Sequence, residues 1–289
     1  MYRLNRRRFL GLLIAGGLLH TRLVGATGDP IRIGITPVFL TEQTSLLREW
    51  RDYLQERLGR PVLFVQRDTY REIVGNLLSR QLEFAWICGY PYVNHRNQLA
   101  LTATPVYAGE PLYRAYLIVP ARDLDTRSIG DLQGGVFAYA DPDSNSGFLV
   151  PRFAVKEQGG DPSRFFRKTF FTAGHRNAIE AVSTGLADGA YVDGYVWNTL
   201  ARFNPDITGR TRIVARSRTF AFPPIVGGPA VSEALNQQIQ RILVEMSQDQ
   251  NARLLLERLN LDGFAVPEAG AYDAIAAMAQ KVGEVPLVP

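Results

Sequence analysis

The chain has 289 residues, 46% of them hydrophobic and 21% charged, enough apolar side chains for one large or two medium cores and too many for a disordered polymer. The long apolar run, Phe9–Leu19, has eleven residues against the ~20 of a transmembrane helix, which excludes a membrane-embedded bundle. A net charge of +4 would suit nucleic acid, but Arg3, Arg6, Arg7, Arg8 and Arg22 all precede the first acidic residue; without the first 26 residues the balance is −1, and the case for a nucleic-acid partner goes with them.

Those 26 residues have the three parts of a secretory signal: a positive start, the apolar stretch, and the small-residue site Val24-Gly25-Ala26. Cleavage is expected after Ala26, with the mature chain in the periplasm. Asn5-Arg6-Arg7-Arg8-Phe9-Leu10 fits a twin-arginine signal, and Gly16 and Gly17 keep the apolar part mild; an arginine-rich general signal is the alternative. The single cysteine, Cys88, allows no internal disulfide and lies far from the cleavage point, so core burial must hold the fold and no lipid anchor is expected.

After the leader, short apolar runs alternate with amphipathic stretches, the pattern of an α/β protein. Residues 31–36 read as a strand, followed by a helix capped at Thr41 and stopped at Gly59. Residues 62–66 are a second strand, Thr69 with Glu72 forms a capping box for a helix over 70–79, and 84–88 is a third strand. Strands are expected at 116–119 and 136–139, then a helix from Ser146 to about Gln158. Two strand-helix pairs follow, 168–172 with 175–184 and 189–192 with 195–203, then a strand at 212–215. From Ser232 the tail reads as helical, with breaks near Gln248 and Pro267.

Four stretches carry polar chemistry at strand-to-helix junctions, where free backbone N–H groups and the helix dipole favour an anion. Asp141-Pro142-Asp143-Ser144-Asn145-Ser146-Gly147 offers hydroxyls and an amide. Thr172-Ala173-Gly174-His175 places an imidazole at a helix start, able to donate to an oxyanion and to bind it more tightly when charged. Asp193 follows a strand and precedes a helix. Cys88, Tyr90 and Tyr92 lie at the carboxyl end of a strand, the edge where α/β folds bind ligands. Each stretch also has a plainer reading: helix capping for Ser144, Ser146 and Asp193, a structural loop histidine for His175, and core packing for Cys88. With three histidines in the chain, His20, His95 and His175, a metal site built on several of them is not expected, nor is a cofactor.

In this order, the four stretches resemble the periplasmic phosphate-, phosphite- and phosphonate-binding components of ABC transporters. The resemblance runs over nearly all of the mature chain, through Pro223-Pro224-Ile225. It implies a two-lobed α/β periplasmic binding protein (type II) that closes over a small oxyanion, with residues 27–112 plus 222–289 as one lobe and 113–221 as the other. The family's hydroxyl run falls on Ser144, Asn145 and Ser146, its pocket histidine on His175, its post-strand aspartate on Asp193 and its pocket tyrosine near Tyr90. Asn145 departs from the threonine usual there. The return segment 222–228 lacks the acidic residues expected for an amine-bearing phosphonate, so phosphite, phosphate or a simple phosphonate is expected. The same family contains arsenite sensors that use one pocket cysteine, which makes Cys88 the basis of a rival reading: an arsenite-binding sensor that signals to a histidine kinase.

Transport therefore predicts a monomer that delivers an oxyanion to an ABC permease, whereas sensing predicts the same capture for a kinase's periplasmic domain. An enzyme is disfavoured: there is no Gly-x-Ser-x-Gly elbow, paired metal motif or phosphate loop, and Ser144 or Ser146 with His175 is the one conceivable nucleophile-base pair.

Overall fold

The computed structural model describes residues 28–36 and 44–283; the leader with its cleavage site and the Thr41 cap lie outside the described residues. The order is β1 (Ile31–Ile35), α1 (Thr44–Leu58), β2 (Val62–Gln66), α2 (Tyr70–Leu78), β3 (Phe84–Trp86), α3 (Gly89–His95), β4 (Ala100–Val106), β5 (Leu112–Pro120), β6 (Val136–Tyr139), α4 (Val150–Glu157), β7 (Lys168–Phe171), α5 (His175–Ser183), β8 (Gly189–Asp193), α6 (Gly194–Phe203), α7 (Pro205–Thr208), β9 (Thr211–Ala221), β10 (Ile225–Gly227), α8 (Glu233–Glu245), α9 (Gln250–Leu259), β11 (Gly263–Ala265) and α10 (Asp273–Val282).

The strands form two sheets, in the orders β11-β4-β10-β3-β1-β2 and β7-β6-β8-β5-β9. This is the two-lobed α/β architecture expected from the sequence. In the first sheet β1 runs parallel to β2 and β3, while β10 returns antiparallel between β3 and β4. The chain passes between the sheets twice, after β4 and after β9. The two passages are adjacent, because Leu112, Tyr113 and Arg114 pair with Ala221, Phe220 and Thr219, and Phe222 N donates to Pro111 O at 3.0 Å.

Local chemistry explains the elements. The capping box of α2 forms as read, with Thr69 accepting from Glu72 N and Glu72 reaching back to Thr69 N. Buried Trp50, Trp86 and Phe264 interlock in the first half, with Trp86 edge-on to Trp50 at 6.2 Å between ring centres. In the second half Phe137 stacks on Phe166 at 4.3 Å.

Several expectations need correcting. The third strand ends at Trp86 rather than 88, and the segment after Cys88, for which no element was expected, is the helix α3. Its Pro91 lies in the first turn, where a missing N–H costs no intrahelical bond. Strand β4 was not expected from the sequence, and β9 extends to Ala221. The helix expected to start at Ser146 begins instead as a wide π turn over Asn145–Leu149, with Val150 N bonding back to Asn145 O, before α4 continues from Val150. Pro151, with no N–H to give to Gly147, suits that widened turn.

Candidate functional site

The site is assembled from three strand-to-helix junctions of the second sheet and two of the first. After β6 the chain enters the π turn, where Ser144 is the N-cap and accepts from Gly147 N at 3.0 Å. Gly147 is required there: a Cβ would lie 3.0 Å from His175 Cε1 and would collide with Ala140. After β7, His175 opens α5, and after β8, Asp193 caps α6 by accepting from Tyr195 N at 2.8 Å. Ser144, Asn145, Ser146, His175 and Asp193 are all at most 1% exposed. The sequence-read set is thus brought together on this side.

His175 organises the group. Its Nδ1 accepts the backbone N–H of Asp193 at 3.1 Å, so in the neutral ring the proton resides on Nε2. Nε2 faces Ser144 Oγ at 3.3 Å and Ser146 Oγ at 3.5 Å. Burial pushes the imidazole down to about 3, so the charged, tighter-binding form expected from the sequence is not available at ordinary pH. This tautomer also removes the nucleophile-base pair: a triad needs Nε2 free to take the serine proton, and here Nε2 carries a proton itself. Ser144 Oγ, already accepting from Gly147 N and facing Nε2–H, keeps its own hydroxyl proton to give to a ligand.

From the first sheet come Cys88, at the N-cap of α3, and Tyr70, the first residue of α2. Cys88 Sγ accepts from Asn145 N at 3.2 Å, and Tyr70 N donates to Asp141 Oδ2 at 3.3 Å. These two bonds join the halves of the molecule across the site. Burial, the largest influence, pushes the Cys88 thiol up to about 11 despite backbone N–H groups that lower it. It is therefore a neutral hydrogen-bond acceptor rather than a reactive thiolate. Asp141 accepts from Asp143 N at 2.8 Å with its other oxygen and so shapes the loop.

Sequence reasoning passed over Tyr70 and Tyr113. Tyr113 OH accepts from Asn145 Nδ2 at 2.8 Å. The Tyr70 hydroxyl and Asn145 Oδ1 are buried and have no hydrogen-bond partner among the described residues. Burial, with Cys88, Asp141, Asp193 and Tyr113 nearby, keeps the Tyr70 phenol far above its ordinary range. A signal for Tyr70 did exist: it follows a parallel strand and starts a helix, the position that singled out the other site residues. Tyr90, expected in the pocket, is buried but lines a neighbouring cleft with Asn94 and Asp143.

Burial also pushes the Asp193 carboxyl up to about 7, against the helix-start N–H bonds that lower it. The cluster thus offers hydroxyl, imidazole and backbone donors around one acid, all shielded from water, where hydrogen bonds to a charged oxygen are strongest.

The sequence model of a family described as "ABC transporter, phosphonate, periplasmic substrate-binding protein" matches residues 33–272. The chain belongs to this family. It is a periplasmic substrate-binding component of an ABC transporter and not an enzyme. It is 25% identical over 232 residues to the phosphonates-binding periplasmic protein of Escherichia coli, covering 77% of this chain and 68% of that protein. It is 24% identical over 229 residues to the phosphate-import protein PhnD of Mycolicibacterium smegmatis, covering 75% and 69%. Among solved structures, PhnD1 of Prochlorococcus marinus in complex with methylphosphonate superposes with a TM-score of 0.80 at 17% identity, covering 89% of this chain and 99% of that one; this shows a shared fold. The arsenite alternative draws no support from these relatives. Among the described residues no helix is long and apolar enough to cross a membrane.

Proposed function

We propose that this binding protein captures a small tetrahedral phosphorus oxyanion, phosphite, phosphate or a simple phosphonate, between its two lobes for import. The observation that carries the reading is the buried convergence of Ser144 Oγ, Ser146 Oγ and His175 Nε2–H, beside a Tyr70 hydroxyl and an Asn145 carbonyl that find no partner among the described residues. Buried polar groups are normally satisfied, and unsatisfied ones in a cleft between lobes fit a ligand that supplies the partners. The relatives named for phosphonates and for phosphate import agree with an oxyanion of this kind.

The same reading assigns lobes of residues 27–112 plus 222–289 and 113–221, hinged where β5 and β9 pair. It also takes the first 26 residues as a twin-arginine signal cleaved after Ala26, and the mature protein as a monomer that docks on an ABC permease. Titration calorimetry of residues 27–289 against phosphite, phosphate, methylphosphonate, sulfate and arsenite tests it. A phosphorus oxyanion should bind tightest. Arsenite as the tightest ligand would replace the oxyanion reading with the thiol reading of Cys88.

A further inference from the structure

Helix α6 begins in the oxyanion cluster, where Asp193 caps it, and belongs to the second half of the molecule: it lies between β8 and β9, and its Asn198 donates to Tyr116 OH of β5 at 3.1 Å. Tyr195, Thr199 and Arg202 follow one another at steps of four and three residues, so they share one face of the helix. That face grips the end of α9. Tyr195 OH donates to Leu259 O, Asn260 Nδ2 donates to Thr199 Oγ1 at 2.9 Å, and Arg202 Nη1 donates to Asn260 Oδ1 at 2.8 Å. Tyr195 also meets Tyr107, on the first passage between the sheets, edge-on at 5.4 Å between ring centres.

Helix α9 belongs to the first half, between β10 and β11, and Arg258 in its last turn pairs with Glu49 of α1. The last carbonyls of a helix have no partner within it, and here the Leu259 carbonyl takes its proton from the other half of the molecule. The helix stops at Asn260, whose φ of 55° is the left-handed conformation. Glycine is the usual residue for such a stop; the asparagine adds an amide, and both polar atoms of that amide are bonded to α6. These three bonds coexist with Cys88 Sγ to Asn145 N and Tyr70 N to Asp141 Oδ2, which join the halves across the buried site. All five therefore belong to the closed arrangement.

We propose that Tyr195, Thr199 and Arg202 of α6 and the Leu259–Asn260 end of α9 form a latch that holds the closed state and breaks when the halves separate. A contact made only in the closed state adds its free energy to the binding of whatever that state encloses. The latch touches no ligand, so it strengthens every ligand by the same factor and lengthens the stay of each. A residue of the oxyanion site would instead change one ligand more than another. This inference rests on closure of the two halves over a ligand, part of the reading above, and not on which anion is enclosed.

The test compares the wild type with Tyr195→Phe, Asn260→Gly and the double variant. Tyr195→Phe removes one bond, and Asn260→Gly removes two while keeping the left-handed stop of α9. Phosphite, phosphate, methylphosphonate, sulfate and arsenite are each titrated by calorimetry, and their release is timed by stopped-flow tryptophan fluorescence. Every ligand that binds the wild type should bind each single variant about fivefold more weakly and the double variant more than tenfold more weakly, with faster release, at roughly a factor of five per net hydrogen bond. Affinity and release rate both unchanged in the double variant, with a lower melting temperature of the ligand-free protein, would show contacts that persist in the open state and only hold the fold; that result overturns the latch and leaves the oxyanion reading standing. Losses that differ widely between ligands overturn it too, by making α6 part of the site. A wild type that prefers sulfate or arsenite overturns the oxyanion reading, and the factor measured for that ligand still decides the latch. A wild type that binds none of the five overturns both.

Discussion

Replacing Asp193 by asparagine should make the ligand-free protein more stable at pH 8. The carboxyl is fully buried, and its largest influence is the loss of water, which raises it from 3.8 to about 7. Below pH 3.8 the acid is protonated in both folded and unfolded chains and adds no pH dependence. Between 3.8 and 7 the unfolded carboxyl ionises while the folded one holds its proton, so stability falls as pH rises, by about 1.4 kcal/mol per unit. By pH 8 the accumulated cost is of order 4 kcal/mol. Asparagine does not ionise and can still accept from Tyr195 N, which keeps the α6 cap. The difference between variant and wild type should therefore grow across that window, to roughly 8–16 °C in Tm at pH 8 for a chain of this size. Urea and thermal melts of both proteins from pH 4 to pH 8 measure it. The slope decides, since an amide proton without an acceptor shifts the variant equally at every pH. A difference that does not change with pH would mean that the ionised carboxylate is already compensated in the fold, contrary to this reasoning.

The Asp193→Asn variant should also uncover the opposite slope of His175: as pH falls from 6.5 toward about 3, the unfolded imidazole charges and the buried one does not, so the unfolding free energy from urea melts should drop by about 1.4 kcal/mol per pH unit. A flat profile there would show that His175 takes up a proton in the folded state. Tyr70→Phe removes a buried hydroxyl that has no partner among the described residues, so melts should show unchanged or slightly higher stability, within about 1–2 kcal/mol, while calorimetry shows weaker oxyanion binding. Ser146→Ala should weaken binding about tenfold or more, by the loss of one donor to a charged acceptor. Cys88→Ser should leave phosphorus-oxyanion affinity within a few fold, because a hydroxyl can also accept from Asn145 N.

The fold was legible where periodicity and capping act locally. The α2 capping box, the Gly59 stop and the strands at 62–66 and 136–139 follow from neighbours within a few residues. What escaped was set by distant partners. β4, with Pro105 inside it, is a strand because β10 and β11 pair on either side; α3 carries Gly89 and Pro91, which weaken any helical reading from sequence alone. The site was half legible for a similar reason. Ser144, Ser146, His175 and Asp193 follow strands and open helices, so their convergence follows from topology. The unsatisfied Tyr70 hydroxyl and the His175 tautomer depend on contacts across the lobes and between junctions, such as the Asp193 N–H on Nδ1, which no spacing encodes.

The most direct measurement is a crystal structure of residues 27–289 grown with methylphosphonate. The phosphonate oxygens should lie within hydrogen-bond distance of Ser144 Oγ, Ser146 Oγ and His175 Nε2, with the Tyr70 hydroxyl turned onto the same ligand. Methylphosphonate ordered elsewhere on the protein, with none of these four groups touching it, would contradict this reading.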